Sequence, residues 1–403
     1  MDALEIISNL ECVFPYFQPI FSADEQRVSA YEILGRYQSE GNIVSLGPFF
    51  KDNQIPEEYK YDVDISIVKK ALEKAMTLDE NISLFLNRDA ELLMYEHGEL
   101  FLQELLQYEK KGLQLNRIVL EVSDQNYHGD LDQFVHLLQY YRTYGIKIAT
   151  SGLNSETHFF EQIERLEPDI LKINLEALKS TETGTHFNDV LFSLSMLARK
   201  IGAALLFENI EMSYQLQFAW KNGGRYYQGF YLHPPAKEFI EPDLLRNRLK
   251  EKFHDFIGYE KRKLEAVFIT SEYFQTKVQE IVMKNKKLNY EDLLTAIAKE
   301  LNEIAFRMYI CDEDGFQTSA NLYKGKRGWY SQFEYKDKNW SWRPYFLENI
   351  IKMRNERKGI LSDLYSDIET GESIRTFSFP LNGKEYLFID ISYQYLFEHD
   401  QLL

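Results

Sequence analysis

The sequence predicts an α/β chain: a TIM-like (β/α)8 barrel, then a long linking helix, then a smaller α+β domain. Three observations carry that expectation. Between about residues 13 and 235, short apolar runs alternate with amphipathic stretches. Between 240 and 285 glycine and proline thin out, charge rises, and apolar residues keep a 3,4 spacing. Beyond 290, β-rich runs return, separated by turn dipeptides. The 403 residues exceed one ordinary domain, and roughly 100–200 residues per domain allows two or three. The expected boundaries are 1–240, 241–288 and 289–403.

Within the first region, runs at 15–21, 27–34, 82–86, 118–122, 147–149, 170–173, 203–206 and 227–232 read as strands. Helical patterns at 62–76, 90–98, 101–111, 131–144 and 189–201 lie between them. Strands that alternate with helices imply a parallel sheet with crossover helices. Roughly 220–240 residues of such units fit one barrel, whose strand C-termini carry the chemistry. Glu32, Asn87, Glu121, Lys172 and Glu208 each fall at, or just past, a predicted strand end. One polar strand end merely meets solvent; five in order point to a site.

In the linking segment, Leu264, Val267, Ser271, Phe274, Val278 and Ile281 form an a/d seam on one helix. The seam fits either a dimer contact or a helix packed on its own domain. The last region reads as a helix at 292–305, a strand at 306–311, and strands at 375–380 and 386–391 joined through Asn382-Gly383. The acidic turn at 312–315 lacks the spacing and terminal Glu of an EF-hand loop. Trp340, Trp342, Tyr345, Phe346 and Tyr365 crowd the middle of this domain. They fit a packed core or a cavity for an unknown small ligand, which Arg343 would also line.

Composition excludes several roles. The net charge of −17 opposes binding to a nucleic-acid duplex or an anionic membrane surface. An anionic ligand therefore needs local Arg, Lys or a metal. Two distant cysteines, Cys12 and Cys311, exclude a disulfide framework and a Cys-rich zinc site, and a reducing cytoplasm is the simplest setting. The start Met1-Asp2-Ala3-Leu4-Glu5 lacks the basic and apolar regions of a signal peptide. No window approaches ~20 consecutive apolar residues, so no membrane span is expected.

Seven ordered motifs over about 220 residues carry a resemblance. They are Tyr16-Phe17-Gln18-Pro19-Ile20, Glu32-Ile33-Leu34-Gly35-Arg36, Phe85-Leu86-Asn87, Leu120-Glu121-Val122-Ser123-Asp124, Pro168-Asp169-Ile170-Leu171-Lys172-Ile173, Glu208-Asn209-Ile210-Glu211 and Gln228-Gly229-Phe230-Tyr231. With them, the first domain resembles an EAL domain, the barrel that binds and hydrolyses the bacterial messenger cyclic di-GMP. The segments 339–346 and 362–367 resemble the C-terminal domain of YkuI-type EAL proteins, which is similar to PAS and Cache sensor folds. No GGDEF-like synthase motif is present.

The resemblance implies roles. Glu32, Asn87 and Glu121 would ligate Mg2+ or Mn2+, hard cations that take oxygen ligands. Lys172 would orient or activate the water, and Glu208 would complete the network. Arg36 would pair with a phosphate, Gln18 would face a guanine, and Gln228 would stand near the metal-bound water. Leu34 and Glu211 join the implied ligand-binding set. A homodimer is also implied.

The departures matter as much. The family's Asp-Asp pair after the 145–150 run aligns with Ser151 and Gly152, so the second metal position loses its carboxylates. Asn174 stands where an Asp follows the lysine strand, and Asp124 replaces a Glu. Asp124 and Glu156 sit on adjacent loops, and neither spacing forbids compensation. The reading is a cyclic di-GMP signalling protein that binds the dinucleotide with weak or no hydrolysis and couples to a C-terminal sensor. The alternatives are a slow Mg2+/Mn2+-dependent phosphodiesterase giving linear pGpG, and a ligand-free interaction scaffold.

Overall fold

In a computed structural model the chain forms two compact units, Met1–His254 and Asp255–Leu403. The structure describes residues 3–402 except 40, 124–126, 128, 152–158, 177–183 and 344–345; at 96–97, 151, 159–162, 184–189 and 400 it describes the backbone alone. Asp124, Gly152, Glu156, Tyr345 and the side chain of Ser151 therefore lie outside the described residues.

The first unit is a closed barrel. Its strands are β1 (Val13–Ser22), β2 (Val28–Ser39), β3 (Asn42–Ser45), β4 (Ser83–Asp89), β5 (Ile118–Ser123), β6 (Lys147–Ser151), β7 (Ile170–Asn174), β8 (Ala204–Glu208) and β9 (Gly224–Tyr227). The ring runs β1-β9-β8-β7-β6-β5-β4-β2 and closes by β1 pairing with β2, while β3 extends β2 outside the ring. Pairs from β2 through β4 to β9 are parallel. β1 is antiparallel to both neighbours, which corrects the uniformly parallel barrel. Only residues 23–27 separate β1 from β2. A parallel crossover needs a dozen residues or more, so a hairpin is the connection that fits.

The closing strand also differs from expectation. β9 ends at Tyr227, where the predicted run 227–232 begins. Beyond it the Ile210 N–H donates to the Gln228 carbonyl and the Tyr231 N–H to the Ile210 carbonyl. Gly229 (φ +153°) allows this approach, because a Cβ there would overlap the Ile210 carbonyl oxygen and amide nitrogen.

Strand side chains alternate with period two, and that alternation builds the barrel interior in layers. Ile20, Ala30, Phe85, Val119, Ala149, Ile170 and Leu206 form one buried cluster, with Tyr226 packed against it. Two residues further toward the mouth, the chain carries a polar residue at each of these places: Gln18, Glu32, Asn87, Glu121, Ser151, Lys172, Glu208 and, just past β9, Gln228. Outside, the helix Glu57–Ala75 buries Val63, Ile67, Val68, Ala71 and Leu72 against β1 and β2.

The boundary between units falls inside one helix, Arg246–Lys284. The second unit is an antiparallel sheet of β10 (Ala305–Asp312), β11 (Asn321–Gly325), β12 (Gly328–Gln332), β13 (Ile360–Leu361), β14 (Tyr365–Ser366), β15 (Ser373–Pro380) and β16 (Glu385–Ile391), in the order β12-β11-β10-β16-β15-β13 with β14 on β15. Its preceding helix is Tyr290–Glu300, shorter at its end than predicted because Ala305 pairs with Ile391 in the sheet. On one face, Phe274, Val278 and Ile281 join Leu294, Ile297, Met308 and Ile389 in a core. The latter half of the helical seam therefore packs on its own domain, whereas Leu264 is 69% exposed. On the other face, Tyr309, Cys311, Phe346, Ile350, Met353, Tyr386 and Phe388 pack together with Trp340 at the edge, so these aromatics form core. Trp342 is exposed, and Tyr365 shares a hydrogen bond with Thr376. No helix among the described residues is long and apolar enough to cross a membrane.

Candidate functional site

The polar layer converges on Lys172. This lysine, 3% exposed, reaches Glu32 at 3.0 Å, Glu121 at 2.5 Å and Glu208 at 3.2 Å. Asn87 Nδ2 donates to Glu32 Oε1 at 2.8 Å, and Gln228 Nε2 donates to Glu32 Oε2 at 2.7 Å. Ser151 ends β6 with its Cα in register with Lys172. The residues predicted at five strand ends thus form one hydrogen-bonded cluster at one level of the barrel.

Electrostatics follow from burial and from the excess of acid over base. Burial opposes ionisation of Glu32, but the Lys172 charge and the bonds from Asn87, Gln228 and Lys172 outweigh it and hold its pKa below the ordinary value. Burial, together with the Glu32 and Glu208 charges, pushes Glu121 up to about 8 against the pull of Lys172. Burial also opposes the Lys172 charge, yet the three carboxylates keep its pKa well above the ordinary value.

Above this layer opens a cavity of about 970 Å³. Glu32, Asn87, Glu121, Asn174 and Glu208 lie at one end of it, and Leu34 and Arg36 line its wall. Gln18, Lys172 and Gln228 sit in the layer beneath. Arg36 donates to the Gly35 carbonyl at 2.9 Å and to Ser45 Oγ at 3.5 Å, and its guanidinium lies 5.2 Å from the Tyr16 ring centre. Burial lowers its pKa, and Tyr16 acts in the opposite direction. Gln18 is buried and donates to the His233 carbonyl at 2.6 Å, leaving its amide oxygen as an acceptor. Asn174 Oδ1 accepts the Glu176 N–H at 2.7 Å. Glu211 is exposed and lies outside the cavity lining; its N–H donates to Gln215 Oε1.

Asp89, the neighbour of Asn87, serves as a helix cap: its carboxylate accepts the Glu91 N–H at 2.9 Å. Sequence reasoning missed three buried charged residues of the cavity wall, Lys60, Asp64 and Arg88. Arg88 is buried, pairs with Asp64 and stacks on Phe101 at 3.6 Å. Burial lowers its pKa to about 9. The available signal was a charge inside an apolar strand run and another inside an apolar helix stripe.

The cluster's chemistry suits a hard divalent cation. Glu32, Asn87, Glu121 and Glu208 are all oxygen donors, three carboxylates face one ammonium, and the buried Gln228 Oε1 has no hydrogen-bond partner among the described residues. The same residues do not form a preassembled nest of three acidic, His or Cys ligands, because the Lys172 ammonium stands between the carboxylates. Charge and donor type favour the cation; the central ammonium is the group it must share the cluster with.

Comparison with known proteins agrees with this layout. Residues 4–235 match the EAL domain model. The chain belongs to the EAL-domain family. Residues 239–403 match the EAL-domain associated signalling protein domain. The chain is 52% identical to the uncharacterized EAL-domain containing protein YkuI of Bacillus subtilis, over 100% of both chains. The crystal structure of Bacillus subtilis YkuI, in complex with substrate c-di-GMP and calcium, superposes with a TM-score of 0.94 at 51% identity and covers 100% of both chains. An EAL domain protein from Listeria monocytogenes, 18% identical, has a TM-score of 0.51 and covers 59% of this chain and 94% of its own; it shares the fold.

Proposed function

We propose that this EAL-domain chain is a cyclic di-GMP signalling protein that binds the dinucleotide in the 970 Å³ cavity with weak or no hydrolysis. The single observation that carries the reading is the polar layer: Glu32, Asn87, Glu121, Lys172 and Glu208 from five strands, with Gln228 just past β9, meet beneath one cavity whose wall holds Arg36 without a carboxylate partner among the described residues. A dianionic ligand needs such a cation in a chain of net charge −17. The likeness to a protein crystallised with c-di-GMP and calcium supports the same ligand class.

In this reading Glu32, Asn87 and Glu121 hold Mg2+ or Mn2+, with Glu208 beside them. A divalent ion supplies charge neutralisation at phosphate and a lower pKa for bound water. Lys172 fixes the carboxylates and holds its proton at Nζ between them. Arg36 donates its remaining N–H groups to a phosphate, Leu34 packs beside it, and Gln18 offers its amide oxygen to a base. Gln228 keeps Glu32 oriented. Ser151, beside Lys172, is neutral, and Gly152 offers no side chain. Losing an outer partner of a metal costs ~10–100-fold in affinity or activity, and losing a direct carboxylate ligand costs at least that.

Retention of Lys172 among Glu32, Glu121 and Glu208 favours a second reading, a slow phosphodiesterase giving linear pGpG. Ser151→Asp with Gly152→Asp then raises metal-dependent hydrolysis about 10-fold or more. No gain in chromatographic assays of the double variant overturns the idea that missing charge alone limits turnover. The ligand state passes to the C-terminal domain in the signalling reading, and the exposed Leu264 and Phe268 fit a homodimer contact that light scattering would detect as twice the 47.7 kDa chain mass. Free Cys12 and Cys311 suit a cytoplasmic setting.

A further inference from the structure

Beside the cavity, outside its lining, β1 carries two partly exposed aromatic side chains. Ile20 belongs to the apolar layer and Gln18 to the polar layer; alternation leads on to Tyr16 and, at the edge of a second pocket with Lys70, Glu73, Lys74 and Lys237, to Phe14. Their Cα partners on β2 are Leu34 and Arg36, both of which line the cavity. Both rings are half-buried, which leaves each of them a surface that the protein does not cover. The two rings lie 5.8 Å apart. Arg36 stands 5.2 Å from the Tyr16 ring centre, and Lys237 Nζ stands 5.5 Å from that of Phe14. Neither cation has a carboxylate partner among the described residues.

We propose that Tyr16 is the stacking face for one purine base of the ligand, with Phe14 supporting its ring. The inference rests on the cyclic di-GMP reading above. Every base presents a π-face, and aromatic side chains flanked by cations take it without regard to sequence. A cyclic dinucleotide carries two bases on one ring of phosphates. When a phosphate meets Arg36, the adjoining base reaches the ring that Arg36 already touches.

Calorimetric titration of the full chain with cyclic di-GMP in Mg2+ tests this. Tyr16→Ala is expected to weaken binding about 10- to 100-fold. Tyr16→Phe is expected to stay within about threefold, because it keeps the π-face. Tyr16→Leu keeps apolar bulk without that face and is expected to behave like Ala. Thermal unfolding of each variant separates loss of binding from loss of fold, and the Phe and Leu variants keep the comparison open if the Ala variant is unstable. Wild-type affinity in Tyr16→Ala or Tyr16→Leu overturns the stacking role and leaves the functional reading standing. Absence of wild-type binding at tens of micromolar overturns the functional reading and this inference with it.

Discussion

Replacing Lys172 by Met tests whether one buried ammonium holds the site's acids together. The lysine faces Glu32, Glu121 and Glu208, all within 3.2 Å. Removing one partner of a buried ion pair costs ~3–5 kcal/mol, because the charge left behind is uncompensated. The sign with pH follows from the carboxyls. Glu32 has a folded pKa below its ordinary 4.5, so it contributes stability above that value, lost as pH falls. Glu121 is raised to about 8 from 4.5, so it costs stability progressively between those values and fully above them. Lys172 lowers both pKa values, and its removal raises both; each unit of rise costs ~1.4 kcal/mol once pH exceeds the new value. The expected loss is therefore ~3–5 kcal/mol at pH 9 and small near pH 5. Urea unfolding of wild type and variant at pH 5, 7 and 9 measures it. A loss under ~1 kcal/mol at pH 9, or one independent of pH, refutes the buried-cluster argument.

Mg2+ binding near pH 7 is expected to release protons, because burial and the neighbouring carboxylates raise Glu121 to about 8 while a metal ligand must be deprotonated; calorimetry in two buffers of different ionisation heat reads this directly, and equal heats contradict it. Gly229→Ala forces a Cβ into the Ile210 backbone, so a loss of ~1–3 kcal/mol in stability is expected, with weaker ligand binding as Gln228 leaves Glu32. In the second unit, buried Arg307 pairs with Asp367 and Asp390 at 2.6 Å each; Arg307→Met is expected to cost ~3–5 kcal/mol, seen in tryptophan fluorescence because three of the four tryptophans lie in that unit.

Much of this site was legible from strand ends. Glu32, Asn87, Glu121, Lys172 and Glu208 announce themselves as polar residues closing apolar runs, and period-two alternation then puts them in one layer. The antiparallel β1 was equally legible, since residues 23–27 leave no room for a crossover, but the alternation of strands and helices concealed it. The end of β9 was not legible: an apolar run suggests a strand, whereas Gly229 and the Ile210 backbone turn it into a close crossing. Arg88 and Asp64 were invisible as a pair, because their contact joins a strand to a helix distant in sequence. The helical seam was ambiguous because burial of Phe274, Val278 and Ile281 by their own sheet produces the same 3,4 pattern as a partner chain. The neutral Ser151 needed no structure at all.

On the proposed function, this EAL-domain chain binds cyclic di-GMP while Ser151 and Gly152 supply none of the carboxylate charge that efficient hydrolysis needs. Titration with cyclic di-GMP, with and without Mg2+ and Mn2+, followed by chromatography of the same samples, tests it most directly. Saturable binding with little or no linear product after long incubation is expected. Rapid conversion to linear pGpG, or no binding at all, contradicts it.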